Sequence, residues 1–135
     1  MTKLFIIIIT FSLIIHKSLF AEIIEINNDK IKNLIKSGVP IIDIRTENEW
    51  QTTGVIPNSN LITFFDNSGK YDLKSWLAEI EHINPDFKSI ILICRSGRRS
   101  HIVAEMINQS FNYPIYDASG GMNSWLESKL KVTKP

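Results

Sequence analysis

Short apolar runs alternate with amphipathic stretches through most of this 135-residue chain, and the alternation limits the folds open to it. The clearest runs, residues 39–44 and 89–93, are mostly aliphatic. A strand that is apolar at nearly every position is buried on both faces, as in a parallel sheet covered by helices on each side. We therefore predict an α/β domain with a mostly parallel central sheet flanked by helices.

The same pattern places the individual elements. Strands are predicted at residues 22–26, 39–44, 59–63, 89–93 and 114–116. Helices are predicted at residues 28–37, 46–52, 73–83 and 100–110, with a last helix after Gly120 and Gly121. Thr46 stands three residues before Glu49, the spacing of a capping box. No linker or repeat interrupts this order, which indicates one domain.

The first 21 residues have a different character. Lys3 precedes a largely apolar run at residues 4–15, and the segment ends on the small residue Ala21. This pattern is typical of a secretory signal peptide, and the run is short of the ~20 residues that span a bilayer. We predict a signal peptide at residues 1–21, a domain at 22–135, and no stable membrane span after cleavage. An uncleaved anchor or a buried element are the alternatives.

Charge and cysteine content exclude several classes of protein. The formal net charge is +1, so the whole chain offers no basic field for nucleic acid, and we predict no such partner. Cys94 is the only cysteine, which excludes an intramolecular disulfide and a four-thiolate zinc site. We predict no metal and no cofactor. A lone thiol in an exported protein is either reactive or a buried, inert residue.

The surroundings of Cys94 favour reactivity. It follows the most apolar strand and opens a loop that contains Gly97 and three arginines and ends at Ser100, a candidate helix cap: Arg95-Ser96-Gly97-Arg98-Arg99-Ser100. Backbone N–H groups of such a turn can converge on an anion beside a helix N-terminus. Cations and helix N-termini lower the pKa of a cysteine. We expect a thiolate at the mouth of a positively charged bowl of amides, with room for a second anion.

This loop resembles the active-site loop of the rhodanese (sulfurtransferase) family. Two further segments resemble its other motifs and extend the resemblance from about Ile24 to Trp125: Asp43-Ile44-Arg45 with Glu49-Trp50 and Gly54-Val55-Ile56-Pro57, and Gly120-Gly121-Met122-Asn123-Ser124-Trp125. Val55 stands where the family often has histidine. The resemblance implies a single rhodanese-like domain. Together with the export signal, it implies similarity to the small periplasmic rhodaneses of bacteria.

The resemblance also implies a reaction. Cys94 would take the outer sulfur from an anionic donor such as thiosulfate, release sulfite, and pass the sulfur from a persulfide to cyanide or a thiol. The N–H groups of residues 95–100 would stabilise the sulfur charge. Arg95 and Arg98 are expected to bind the oxygens of the donor, because a guanidinium fork matches such anions. Arg99 would either share that role or pair with an acid.

Three residues outside the loop are predicted to support it. Arg45 and Glu49 lie four residues apart and are expected to form an ion pair near the end of their strand. Asp43 interrupts an apolar run and is expected to accept hydrogen bonds from backbone donors near the loop. The sequence gives His101 no support as a catalytic base.

Two other functions remain open. Tyrosine-phosphatase-like and arsenate-reductase-like enzymes place an arginine six positions after the cysteine and usually a histidine before it. Here those positions hold Ser100 and Ile93, and the arginine comes one residue early, at Arg99. The second alternative is a domain that binds a partner or senses redox state without turnover, although the retained Cys94 argues against it. The oligomeric state is not predicted.

Overall fold

The computed structural model describes residues 20–135 of the chain. The predicted signal peptide lies outside the described residues except for its last two positions. Five strands alternate with helices: β1 (Ile23–Ile26), α1 (Asn28–Lys36), β2 (Ile41–Asp43), α2 (Glu47–Thr53), β3 (Asn60–Leu61), α3 (Leu73–Ile83), β4 (Ile90–Ile93), α4 (Arg98–Ile107), β5 (Ile115–Ala118) and α5 (Gly121–Glu127). Within this part of the chain, no helix is long and apolar enough to cross a membrane.

The strands form one sheet in the order β1-β5-β4-β2-β3, and every neighbouring pair is parallel. The predicted fold class, an α/β domain with a parallel central sheet, is confirmed. β4 is the middle strand and has neighbours on both sides, which explains why its sequence is entirely aliphatic. The carboxyl ends of β2, β4 and β5 lie together at one edge of the sheet, where ligands bind in folds of this kind.

Two apolar cores cover the two faces of the sheet. Ile90 and Leu92 of β4 join side chains of α3 and α4 on one face. Ile91 and Ile93 join side chains of α1 and α5 on the other face. Successive strand residues point to opposite faces, so an all-aliphatic strand supplies both cores at once.

The predicted elements differ from the observed ones at two places near the loop. Helix α4 begins at Arg98, with Gly97 as its N-cap in a left-handed conformation (φ 92°), so the prediction that Ser100 caps it is wrong. Glycine adopts this conformation without steric cost, which lets the chain turn into the helix two residues earlier. Strand β5 extends to Ala118, whereas the sequence predicted its end at Tyr116.

Candidate active site

The only thiol lies deeper than the sequence predicted. Cys94 directly follows β4 and its side chain is 0% exposed, packed in the same core as Ile90 and Leu92. The expectation of a sulfur at the mouth of the loop is therefore wrong. The reason is the two-residue period of the strand, because Cys94 continues the series of Ile90 and Leu92 towards the face covered by α4.

Two polar groups nevertheless reach the sulfur. The backbone N–H of Gly97 donates to Sγ at 3.1 Å, and Ser100 Oγ lies 3.6 Å from Sγ. Among the described residues Gly97 supplies the one backbone amide within hydrogen-bond distance of the sulfur, so the predicted convergence of several amides is present only in part. A Cβ on Gly97 would lie 3.1 Å from the backbone nitrogen of Gly120, so the turn has little space for a side chain.

Arg99 pairs with an acid, which is one of the two roles that the sequence predicted for it. Its guanidinium donates to both carboxylate oxygens of Glu49, at 2.6 and 2.9 Å. This hydrogen bonding is the largest cause of a raised Arg99 pKa, and the charge of Glu49 adds to it. The fork of the guanidinium is therefore occupied by Glu49.

Arg95 and Arg98 lie on different sides of the loop. Both side chains are exposed. Arg95 lines a cavity of about 330 Å³ next to Met122, whereas Arg98 lines a cavity of about 400 Å³ next to Gly120. The side chains of Arg95, Ser96 and Arg98 form no hydrogen bond or ion pair with the residues from 20 to 135. Their role in binding a donor stays a prediction.

The expected ion pair between Arg45 and Glu49 is wrong. Arg45 is fully buried and binds Asp43 through two nitrogens, with Nη2 2.7 Å from Oδ2 and Nε 2.9 Å from Oδ1. Asp43 also accepts the backbone N–H of Arg45 at 3.1 Å, in line with its predicted role towards backbone donors. Glu49 turns back to accept the Thr46 N–H in the predicted capping box, and this directs its carboxylate to Arg99.

The position of Glu49 leads to a pH dependence of stability. Burial raises the pKa of this carboxyl, but hydrogen bonds from Arg99 and Thr46 outweigh burial and lower it from 4.5 to about 2. The folded state then binds fewer protons than the unfolded chain between these values. The contribution of Glu49 to the free energy of unfolding is therefore complete above pH 4.5 and is lost as the pH falls towards 2.

We expect Glu49→Gln to remove this part of the acid sensitivity. Urea denaturation across the acid range should give a shallower fall in the free energy of unfolding for the variant than for the unsubstituted protein. Glu81→Gln is the matched control, since Glu81 is an exposed glutamate on α3. A variant curve as steep as that of the unsubstituted protein contradicts the assignment.

Asp117 was not among the predicted site residues, and it connects the loop to a histidine. Its side chain is 3% exposed; Oδ1 accepts the Ser100 hydroxyl at 2.6 Å, and Oδ2 lies 3.1 Å from His101 Nδ1. The sequence does contain a signal for Asp117. An acid near the carboxyl end of a parallel strand lies at the same edge of the sheet as Cys94. The predicted end of β5 at Tyr116 left Asp117 outside the strand.

The glycine pair before α5 allows this helix to dock on the cysteine loop. The N–H groups of Met122 and Asn123 donate to the carbonyls of Cys94 and Arg95, each at 2.9 Å. Gly121 has φ 55°, and a Cβ there would lie 2.7 Å from the carbonyl oxygen of Arg95. The pair therefore permits a close backbone approach that fixes the start of the loop.

Fold and site together define a class of protein: a parallel α/β domain with one cysteine on the turn between its central strand and the next helix. Residues 27–128 match the family model for the rhodanese-like domain. The chain belongs to the rhodanese-like domain family, as its resemblance to rhodaneses predicted.

Several known proteins and solved structures are similar to this chain. An uncharacterized protein of Rickettsia conorii is 32% identical over 84 residues, which cover 60% of this chain and 67% of the relative. A rhodanese-related protein from Thermoplasma volcanium is 28% identical with a TM-score of 0.63, covering 83% of this chain and 99% of that one. A Rhodopseudomonas palustris protein of unknown function, described as a possible tyrosine phosphatase, shares the fold at 23% identity, with a TM-score of 0.62 and coverage of 82% and 85%.

Proposed function

We propose that this protein is a sulfurtransferase that carries a sulfane sulfur on Cys94. The observation that carries the proposal is the setting of the chain's only thiol. Its sulfur lies at the carboxyl edge of the sheet, where ligands bind in folds of this kind, and accepts the Gly97 N–H at 3.1 Å. A donor at this distance can stabilise negative charge on the sulfur, and the thiolate is the nucleophilic form of cysteine.

The proposed reaction consists of two displacements. The Cys94 thiolate attacks the outer sulfur of thiosulfate, an Sγ–S bond forms, the S–S bond of thiosulfate breaks, and its electron pair leaves with sulfite. Cyanide or a thiolate then attacks the outer sulfur of the persulfide, and the electron pair of the broken S–S bond returns to Sγ. The Gly97 N–H supports the negative charge on Sγ before the first step and after the second. Ping-pong kinetics follow from this order.

Burial of the sulfur adds a requirement to the proposal. Cys94 is 0% exposed, so a donor reaches Sγ only when the groups that cover it move. The side chains of the exposed residues Arg95 and Ser96 hold no hydrogen bonds among the described residues and can move without breaking one, whereas the Arg95 carbonyl accepts the Asn123 N–H at 2.9 Å and fixes the start of the loop. Once the donor has entered, the surrounding core excludes water, and electrostatic interactions with the transferred sulfur are stronger there than in water.

Formation of thiocyanate from thiosulfate and cyanide tests this function. We expect turnover with initial rates that follow a ping-pong pattern. A protein that forms no thiocyanate with thiosulfate and takes up no sulfur would instead be a binding or redox-sensing domain. Protection of the thiol from alkylation by phosphate or arsenate as strongly as by thiosulfate would indicate the chemistry of a phosphatase or arsenate reductase.

The exposed arginines of the loop, Arg95 and Arg98, are proposed to bind the anionic donor. Arg95→Ala and Arg98→Ala should each raise the apparent KM for thiosulfate by about fivefold and leave kcat nearly unchanged, because an exposed cation contributes modestly to anion binding. Lys88→Ala is the matched control, since Lys88 lies just before β4 at the opposite edge of the sheet. An unchanged KM in both arginine variants removes them from donor binding.

We also propose that the protein acts in the periplasm. Lys3 and the apolar run at residues 4–15 support export to the periplasm with removal of residues 1–21. The partners would then be a small anionic sulfur donor and a thiol or cyanide acceptor, without nucleic acid. The amino terminus of the protein isolated from the periplasmic fraction tests this: it should be Glu22, and a retained Met1 contradicts cleavage.

A further inference from the structure

A fully buried thiol must lose its proton before it can attack a sulfur donor. Cys94 is 0% exposed, so water cannot take this proton directly. We propose that Ser100, Asp117 and His101 form a relay that carries the Cys94 proton to solvent. This inference rests on the proposed function and names the residues that activate its nucleophile.

The three side chains form a continuous line of polar contacts from the sulfur. Cys94 Sγ lies 3.6 Å from Ser100 Oγ, with the thiol as donor, and Ser100 Oγ donates to Asp117 Oδ1 at 2.6 Å. Asp117 Oδ2 lies 3.1 Å from His101 Nδ1. The line runs from the end of β4 through α4 to β5. Ser100 is the third residue of α4, and this position turns its hydroxyl towards the interior.

Burial decreases along this line in the direction that a proton must travel. Cys94 and Ser100 are fully buried and the side chain of Asp117 is 3% exposed, whereas the side chain of His101 is 45% exposed. The imidazole is therefore the group at which the line meets water. Imidazole is also the side chain best suited to exchange protons near neutral pH.

The proton balance of the relay is simple. The thiol proton moves from Sγ to Ser100 Oγ, and the hydroxyl proton of Ser100 moves to Asp117 Oδ1. The proton held between Asp117 Oδ2 and His101 Nδ1 moves to the imidazole, and one proton leaves Nε2 for water. One proton enters the line and one leaves it, and Cys94 is left as the thiolate.

The charges around the line suit this transfer. Burial is the main cause of a raised Asp117 pKa, and the negative charge of Glu25 adds to it, so this carboxylate accepts a proton more readily than an exposed one. Arg98 and Glu25 line the same cavity as His101 and Asp117. On the solvent side, Glu105 Oε1 lies 3.6 Å from His101 Nε2, the nitrogen that releases the proton.

Chemical rescue tests the relay. We expect His101→Ala to lower kcat for thiocyanate formation by about tenfold or more with little change in KM, and added imidazole to restore much of the rate. Asp117→Asn should lower kcat similarly, because the amide can still accept the Ser100 hydrogen bond but cannot take up a proton. Imidazole should not rescue this variant. His82→Ala, an exposed histidine at the end of α3, is the matched control.

A second assay separates failure of the relay from failure of the proposed function. Alkylation of Cys94 by iodoacetamide, followed by intact mass, needs the thiolate but no sulfur donor. Slower alkylation in His101→Ala that imidazole restores supports the relay even if thiosulfate is no substrate. Alkylation at the unsubstituted rate in both His101→Ala and Asp117→Asn overturns the relay, and so does a His101→Ala defect that imidazole does not relieve.

Both assays contain a chelator. One ligand atom each of Glu25, His101 and Asp117 lies within 4.8 Å of the others, and the chelator keeps adventitious cations away from these groups.

Discussion

Cys94→Ser is expected to form thiocyanate no faster than the reaction without protein, a loss of about 10³-fold or more. The loss follows from the chemistry of the step, since the hydroxyl of serine is a far weaker nucleophile than a thiolate and forms no persulfide. Cys94 is the only cysteine of the chain, so no other thiol can take its place. Initial rates at saturating thiosulfate and cyanide provide the measurement.

The fold of this variant should survive, which makes the result interpretable. Serine is slightly smaller than cysteine, and its oxygen can still accept the Gly97 N–H that now reaches Sγ at 3.1 Å. Circular dichroism and urea denaturation check this point. Turnover by a well-folded Cys94→Ser protein would show that the sulfur is carried elsewhere or that thiocyanate arises by direct transfer.

The second large effect is on stability and concerns the ion pair at the end of β2. We expect Asp43→Asn to lower the free energy of unfolding by about 3–5 kcal/mol, because it leaves the fully buried Arg45 guanidinium without a counter-charge. The guanidinium also donates to Thr53 Oγ1 at 2.7 Å and to the Gly54 carbonyl at 3.0 Å. Its displacement would therefore disturb the end of α2 as well.

An exposed pair supplies the control. Asp29 and Lys32 lie 2.8 Å apart on the surface of α1, with side chains 81% and 42% exposed. Asp29→Asn should change the free energy of unfolding by less than about 1 kcal/mol. Guanidinium chloride denaturation compares the two variants. Equal, small losses in both would mean that the Asp43–Arg45 pair does not hold the strand end.

The alternation of apolar and amphipathic segments was sufficient to predict the sheet, its parallel strands and the edge that carries the site. These features depend on burial patterns with periods of two and 3.6 residues, which are visible in one sequence. The depth of the sulfur was also readable, since Ile90, Leu92 and Cys94 form one two-residue series. The charged residues that follow Cys94 do not alter this period.

The partners of the charged side chains were harder to predict. Spacing alone suggested that Arg45 would pair with Glu49, but spacing does not reveal which acid is buried beside a guanidinium and which is held by its own helix N-terminus. Arg99 and Glu49 lie 50 residues apart, and only the parallel sheet and its helices bring them together. Asp117 required the end of β5 to be placed correctly, and strand ends are poorly determined by sequence.

The central claim is that Cys94 receives and releases a single sulfur atom, and the intact mass of the protein measures this most directly. The protein is incubated with thiosulfate, freed of small molecules and weighed, then treated with cyanide and weighed again. We predict a mass gain of one sulfur atom that cyanide removes and that Cys94→Ser never acquires. A mass that thiosulfate leaves unchanged, or a gain that persists in Cys94→Ser, would contradict the account.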